Sequence, residues 1–231
     1  MLTRAQLAAS IDHTLLRPTA TRAQIEVLCA EAREHGFASV CVQPARVALA
    51  RSCLMGQVPV CTVIGFPLGA SCPEIKAAEA YLAAEQGADE LDVVINLGLL
   101  RDGAHDEVVA DLAGVVTAAE GRLVKVILET ALLEPDEIDV ACRLAVAAGA
   151  HFVKTSTGFG PGGATVEAVA RMRRAVGPHI GVKASGGIGD AATARAMIAA
   201  GATRLGASAS LKLLAEWDAP VPTNMSGSTG Y

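Results

Sequence analysis

The 231-residue sequence is poor in aromatics, histidine and lysine, and each shortage narrows what the chain can do. Aromatic residues make up only 3%, which argues against stacking platforms for nucleobases. The net charge of −5 lacks the basic footprint of a nucleic-acid binder. The five histidines, at 13, 35, 105, 151 and 179, show no H-x-H or H-E-x-x-H spacing, so no histidine-built metal site is expected. The six cysteines (Cys29, Cys41, Cys53, Cys61, Cys72 and Cys142) form no C-x-x-C pair and read as reduced thiols. No apolar run reaches the roughly 18 residues that span a bilayer. The opening MLTRAQLAAS has no apolar signal core, which predicts a cytoplasmic protein.

What is present is a globular composition, 52% hydrophobic and 19% charged, which excludes a disordered chain. One pattern recurs: an alanine-rich helix, a glycine, then a short β-branched strand. It appears at 31–42, 83–95, 145–155 and 197–207. Further strands fit at 10–16, 58–66, 122–130 and 178–185. Helices fit at 21–35, 44–54, 71–86, 104–120, 134–148, 165–176, 190–200 and 208–216. Strict alternation of strand and helix implies a parallel sheet, and eight units predict a (β/α)8 TIM barrel with an extra N-terminal helix. A doubly wound open sheet is the alternative. The domain is expected to cover 1–217, followed by a flexible polar tail at 218–231.

Alternation along barrel strands separates an apolar outer face from an inner one. It places Asp92, Lys125, Lys154 and Lys183 inside, together with Asn96 and Glu129, and three of the chain's five lysines are among them. A salt-bridged plug that fixes strand register is one reading, with Glu129 or Asp92 as the partner of Lys125. A catalytic constellation is the other. Clustered lysines disfavour one another's charge. A neutral amine forms Schiff bases with carbonyls, and a neighbouring carboxylate can move protons. The pattern nominates Asp92, Lys154 and Lys183 without ranking the lysines. Glycine-rich loops follow the last three strands, TSTGFGPGG (155–163), SGG (185–187) and GAS (206–208). On a TIM barrel such loops, with a helix N-terminus, form a phosphate seat.

These segments carry a resemblance. IDHTLL (11–16), SVCVQP (39–44), CTVIGFPLGA (61–70), ELDVVINLG (90–98), VKVILET (124–130), FVKTSTGFGPGGAT (152–165), GVKASGGI (181–188) and RLGAS (204–208) together resemble the deoxyribose-phosphate aldolase family of lysine-dependent aldolases. The resemblance implies reversible aldol cleavage without cofactor or metal, acting on a sugar phosphate and an aldehyde. It implies Lys154 as the Schiff-base lysine, Lys183 as the lysine that perturbs it and Asp92 as the proton-transfer carboxylate. It places Asp12, Thr14 and Thr157 near the sugar hydroxyls, and Gly186, Gly187, Gly206 and Ser208 on the phosphate. Cys41 would line the pocket. Tyr231 would be a proton relay if the tail enters the site, and a homodimer or higher homo-oligomer is expected.

The sequence departs from the family pattern after Gly187, where Gly189 and Asp190 replace an arginine-bearing run, and at Ala209, where a serine is usual. Asp190 would repel an anion if it faced inward, or cap a helix if it did not. These departures leave room for a different aldehyde substrate. A non-catalytic sugar-phosphate sensor is the rival of another class.

Overall fold

The computed structural model describes residues 2–218, so Tyr231 and the remainder of the expected tail lie outside the described residues. The first half runs α1 (Arg4–Ala8), β1 (Ile11–Leu15), α2 (Arg22–His35), β2 (Ser39–Val42), α3 (Val47–Leu54), β3 (Val60–Ile64), α4 (Pro73–Glu85), β4 (Glu90–Val94), α5 (Leu97–Arg101) and α6 (His105–Ala118). The second runs β5 (Leu123–Ile127), α7 (Pro135–Ala147), β6 (Phe152–Lys154), α8 (Val166–Val176), β7 (Gly181–Ser185), α9 (Ala191–Ala199), β8 (Arg204–Ala207) and α10 (Ser210–Trp217). The strands are all parallel and close in chain order, with β8 pairing back onto β1.

Local chemistry sets the helix ends. Thr21 and Gln24 form a capping box at α2, Pro73 and Pro135 open α4 and α7, and Thr165 caps α8 through Ala168 N–H at 3.1 Å. The outward strand residues, among them Val40, Val93, Val126, Val153, Val182 and Leu205, pack against the helices in one large core. A separate small apolar cluster of Leu16, Cys41, Cys61 and Val63 lies inside the barrel. Helix α1 precedes β1; its buried Leu7 joins the core and Leu2 O accepts the Trp217 indole N–H at 2.9 Å. No described helix is long and apolar enough to cross a membrane.

The sequence pattern does not anticipate α5, whose cap is Asn96. Asn96 was expected inside the barrel, but its side chain accepts Leu99 N–H at 3.2 Å. Strand β4 ends at Val94, so strand alternation no longer governs residue 96.

Candidate active site

A cavity of about 920 Å³ opens at the C-terminal ends of β1, β6, β7 and β8. The fold dictates this position, because the C-terminal ends and the loops after them are where a parallel barrel presents its adaptable residues. Thr14, Thr157, Gly186, Gly187, Gly206 and Ser208 all line it, together with Lys154. Lys154 ends β6, which lifts its side chain to the cavity floor.

Beneath that floor lies a buried ion network. Lys154 Nζ donates to Asp92 Oδ2 at 2.9 Å, and Lys183 Nζ reaches the same oxygen at 2.6 Å. Lys125 Nζ donates to Asp92 Oδ1 at 2.8 Å and lies 2.6 Å from Glu90 Oε2. Asp12 receives Lys183 at 2.5 Å and Arg204 at 2.7 Å, and Arg204 also reaches Glu90 at 3.2 Å. Four cations (Lys125, Lys154, Lys183, Arg204) thus face three carboxylates (Asp12, Glu90, Asp92). The pairing follows strand register, with Asp92 opposite Lys125, Lys154 opposite Lys183 and Lys183 opposite Arg204.

The partners are shared unequally. Among the described residues Lys125 touches three carboxylates and Lys183 two, whereas Lys154 touches Asp92 alone. Burial works against the charge on Lys125, but Asp92, Cys61, Asp12 and Glu90 outweigh it and hold its pKa well above the ordinary lysine value. Lys183 is also held high, because Asp12 and Asp92 outweigh burial and the repulsion of Lys125. Burial alone would raise Asp92, yet Lys125, Lys154 and Lys183 hold it well below the usual carboxylate range. Mutual repulsion among lysines is therefore not the dominant force on Lys125 or Lys183.

Asp12, expected beside the sugar hydroxyls, is fully buried and does not line the cavity, its carboxylate being held by Lys183 and Arg204. Cys41 is likewise buried below the lining. Asp190 caps α9, with Oδ1 accepting Thr193 N–H at 2.7 Å, and it does not line the cavity. Those backbone bonds hold its carboxyl below the usual range. Ala209 occupies the cap position of α10 and makes no side-chain cap; Ser210 Oγ instead donates to Ala207 O at 2.9 Å. Among the lining side chains the cations are Lys154 and the exposed Arg17, so an anion at the β7 and β8 loops would meet backbone N–H groups.

Glu90 and Arg204 were missed at the sequence level. The signal was there: Glu90 shares the parity of Asp92, and Arg204 that of Gly206, so both face inward by the same alternation. Two groups of potential metal ligands among the described residues, Cys41–Cys61–Asp92 and Asp12–Cys61–Glu90, meet at Cys61. The Lys125 ammonium stands there, 3.3 Å from Cys61 Sγ.

Gly206 keeps room for this network. A Cβ on it would fall 2.9 Å from Ser185 Cβ and 3.1 Å from Lys183 Cε. Gly206→Ala is expected to cost about 1–3 kcal/mol in urea unfolding, as overpacking does, and to slow turnover by displacing Lys183. Unchanged stability and rate would show that the site yields there.

A family model described as DeoC/LacD family aldolase matches residues 7–219. A deoxyribose-phosphate aldolase of Halalkalibacterium halodurans is 58% identical over 211 residues, covering 90% of this chain and 94% of the relative. One from Geobacillus sp. strain WCH70 is 58% identical over 210 residues, with 90% and 94% covered. Among solved structures, the tetrameric deoxyribose phosphate aldolase of Aeropyrum pernix superposes with a TM-score of 0.86 at 37% identity, covering 94% of this chain and 93% of that one. The chain belongs to the DeoC/LacD family of aldolases.

Proposed function

We propose that this chain catalyses the reversible cleavage of 2-deoxy-D-ribose 5-phosphate to D-glyceraldehyde 3-phosphate and acetaldehyde through a Schiff base on Lys154. One observation carries the assignment of the nucleophile: Lys154 alone of the three clustered lysines lines the cavity, and it has the fewest carboxylate partners. The relatives' activity supports the reaction.

In this reading the free amine of Lys154 attacks C1 of the open-chain sugar, and the carbinolamine loses water to give a protonated imine. The imine draws the electron pair of the C2–C3 bond as the C3 hydroxyl gives up its proton. D-glyceraldehyde 3-phosphate leaves, and an enamine of acetaldehyde stays on Lys154. Protonation of the enamine and hydrolysis of the imine release acetaldehyde. Asp92 holds Lys154 through Oδ2 and serves as the proton-transfer carboxylate, with water as the relay. The imine polarises the substrate itself, so no step calls on a Lewis acid. Thr14 and Thr157 face the sugar hydroxyls, while Gly186, Gly187, Gly206 and Ser208 receive the phosphate. Asp12 acts on the sugar only through Lys183. The tetramer of the A. pernix relative supports a homo-oligomer here, which light scattering tests.

The test is acetaldehyde trapping with borohydride, read by peptide mass spectrometry. An ethyl adduct on Lys154 is expected. An adduct on Lys183 alone would exchange the lysine roles, and none on folded protein would remove acetaldehyde as the donor.

Lys183→Leu removes a positive charge from the oxygen that Lys154 also uses. The Lys154 ammonium then meets less repulsion from a neighbouring cation. The acidic limb of the pH–kcat/KM profile is therefore expected to move alkaline by about one unit or more. An unshifted limb would sink the perturbation role of Lys183.

A further inference from the structure

Glu129 is a buried carboxylate that the chemistry above does not use. It directly follows Leu128 at the end of the β5 segment, with φ 55° and ψ 58°, a left-handed conformation uncommon for a residue with a side chain. Only 3% of it is exposed, and it takes part in no ion pair among the described residues; Lys125, its expected partner, is taken by Asp12, Glu90 and Asp92. Its carboxylate is committed to one residue of the β6–α8 loop instead. Oε2 accepts the Thr157 hydroxyl and, at 3.2 Å, the Thr157 N–H. The loop lies flat on the carboxylate, since a Cβ on Gly160 would sit 2.9 Å from Glu129 Cδ.

The consequence follows from counting hydrogen-bond capacity. A threonine hydroxyl has one hydrogen and two lone pairs. Here the hydrogen goes to Glu129, and one lone pair accepts Phe159 N–H at 3.0 Å. What remains for a ligand in the cavity, which Thr157 lines, is a single lone pair. Thr157 can accept a hydrogen bond from a substrate and cannot donate one.

We propose that Glu129 is a specificity-determining positioning residue: by holding the Thr157 proton it makes Thr157 an acceptor-only contact that selects a substrate hydroxyl. This rests on the aldolase reading. In D-glyceraldehyde 3-phosphate the hydroxyl available besides the reacting aldehyde is on C2, so that group is the one selected. An ionised carboxylate is required because it has no hydrogen to donate. The amide of a glutamine can donate to Thr157 Oγ and release its hydrogen toward the cavity.

The experiment compares kcat/KM in the synthetic direction, with acetaldehyde as donor and two acceptors. These are D-glyceraldehyde 3-phosphate and its analogue with hydrogen in place of the C2 hydroxyl. The unsubstituted protein is expected to favour the hydroxylated acceptor roughly tenfold, the effect of one good hydrogen bond. Thr157→Val is expected to bring that ratio close to one, Glu129→Gln to lower it partway because a freed Thr157 hydrogen can still reach the same hydroxyl, and the double variant to fall no lower than Thr157→Val. Gly160→Ala, on an exposed loop, presses on the same carboxylate and is expected to lower the ratio even if Glu129→Gln fails to fold. A loss shared equally by both acceptors in the Glu129 and Gly160 variants would reduce Glu129 to a structural part and overturn the proposal. So would a ratio that survives in Thr157→Val. Borohydride trapping of acetaldehyde on Lys154 involves no acceptor: its absence would sink the aldolase reading, whereas an adduct beside an unmoved ratio would sink this inference alone.

Discussion

Lys154→Leu is expected to lower cleavage of 2-deoxy-D-ribose 5-phosphate by roughly ten-thousand-fold or more while leaving the protein as stable as before. The loss of rate follows from the absence of a substitute nucleophile. Lys125 and Lys183 are buried below the cavity lining and held charged by two or three carboxylates each. The retention of stability follows from the charge count. With every group ionised, the network has four cations for three carboxylates, and removing Lys154 leaves three of each. A buried excess charge is costly, so its removal offsets the lost hydrogen bond to Asp92. The combination separates a catalytic from a structural lysine: steady-state rates collapse, the borohydride adduct disappears, and the urea midpoint stays put or rises. Substantial residual turnover would refute the assignment of Lys154. A falling midpoint would show that Lys154 is a structural member of the plug.

How much of this site the sequence discloses depends on how far strand alternation reaches. Asp92, Lys125, Lys154 and Lys183 lie within strands, and a period of two places each of them inside. Glu90 and Arg204 obey the same period and were accessible to it. Asn96 and Glu129 lie beyond the ends of β4 and β5, where the backbone turns and alternation no longer governs. Glu129 has left-handed φ, which no pattern of apolar and polar residues encodes. That Asp12 sits in the ion network and not on the cavity lining has another cause. Its cationic partners come from β5, β7 and β8, more than a hundred residues on, and Arg204 was not among the expected residues. The glycine loops were legible because turn chemistry is local, and the cavity lies on them as expected. Strand alternation alone left the lysines unranked and only the family resemblance chose Lys154, since the number of carboxylates around each amine is a property of several strands at once.

Asp92→Asn is expected to be the most damaging single change in the network. The substitution keeps the shape and removes the charge, leaving four cations against Asp12 and Glu90. Breaking a buried pair in this way costs about 3–5 kcal/mol, a large part of a domain's net stability. Activity is expected to fall at least a hundredfold, because Lys154 loses its sole carboxylate partner and the proton-transfer group together. The folded-state pKa values of Asp12 and Asp92 are depressed, so their stabilisation is present above the ordinary carboxylate value near about 4 and is lost as pH falls through the depressed values. Asp92→Asn should therefore flatten the acid side of the stability profile as well as lower its plateau. A double variant decides whether charge balance is the cause. Lys154→Leu with Asp92→Asn leaves three cations for two carboxylates, the same surplus of one as in the unsubstituted protein. If surplus charge governs stability, the double variant should recover more than about 1 kcal/mol over Asp92→Asn alone, as coupled neighbours do. If instead Asp92 matters through its hydrogen bonds alone, the two substitutions should add, and removing a second side chain from the network should restore nothing.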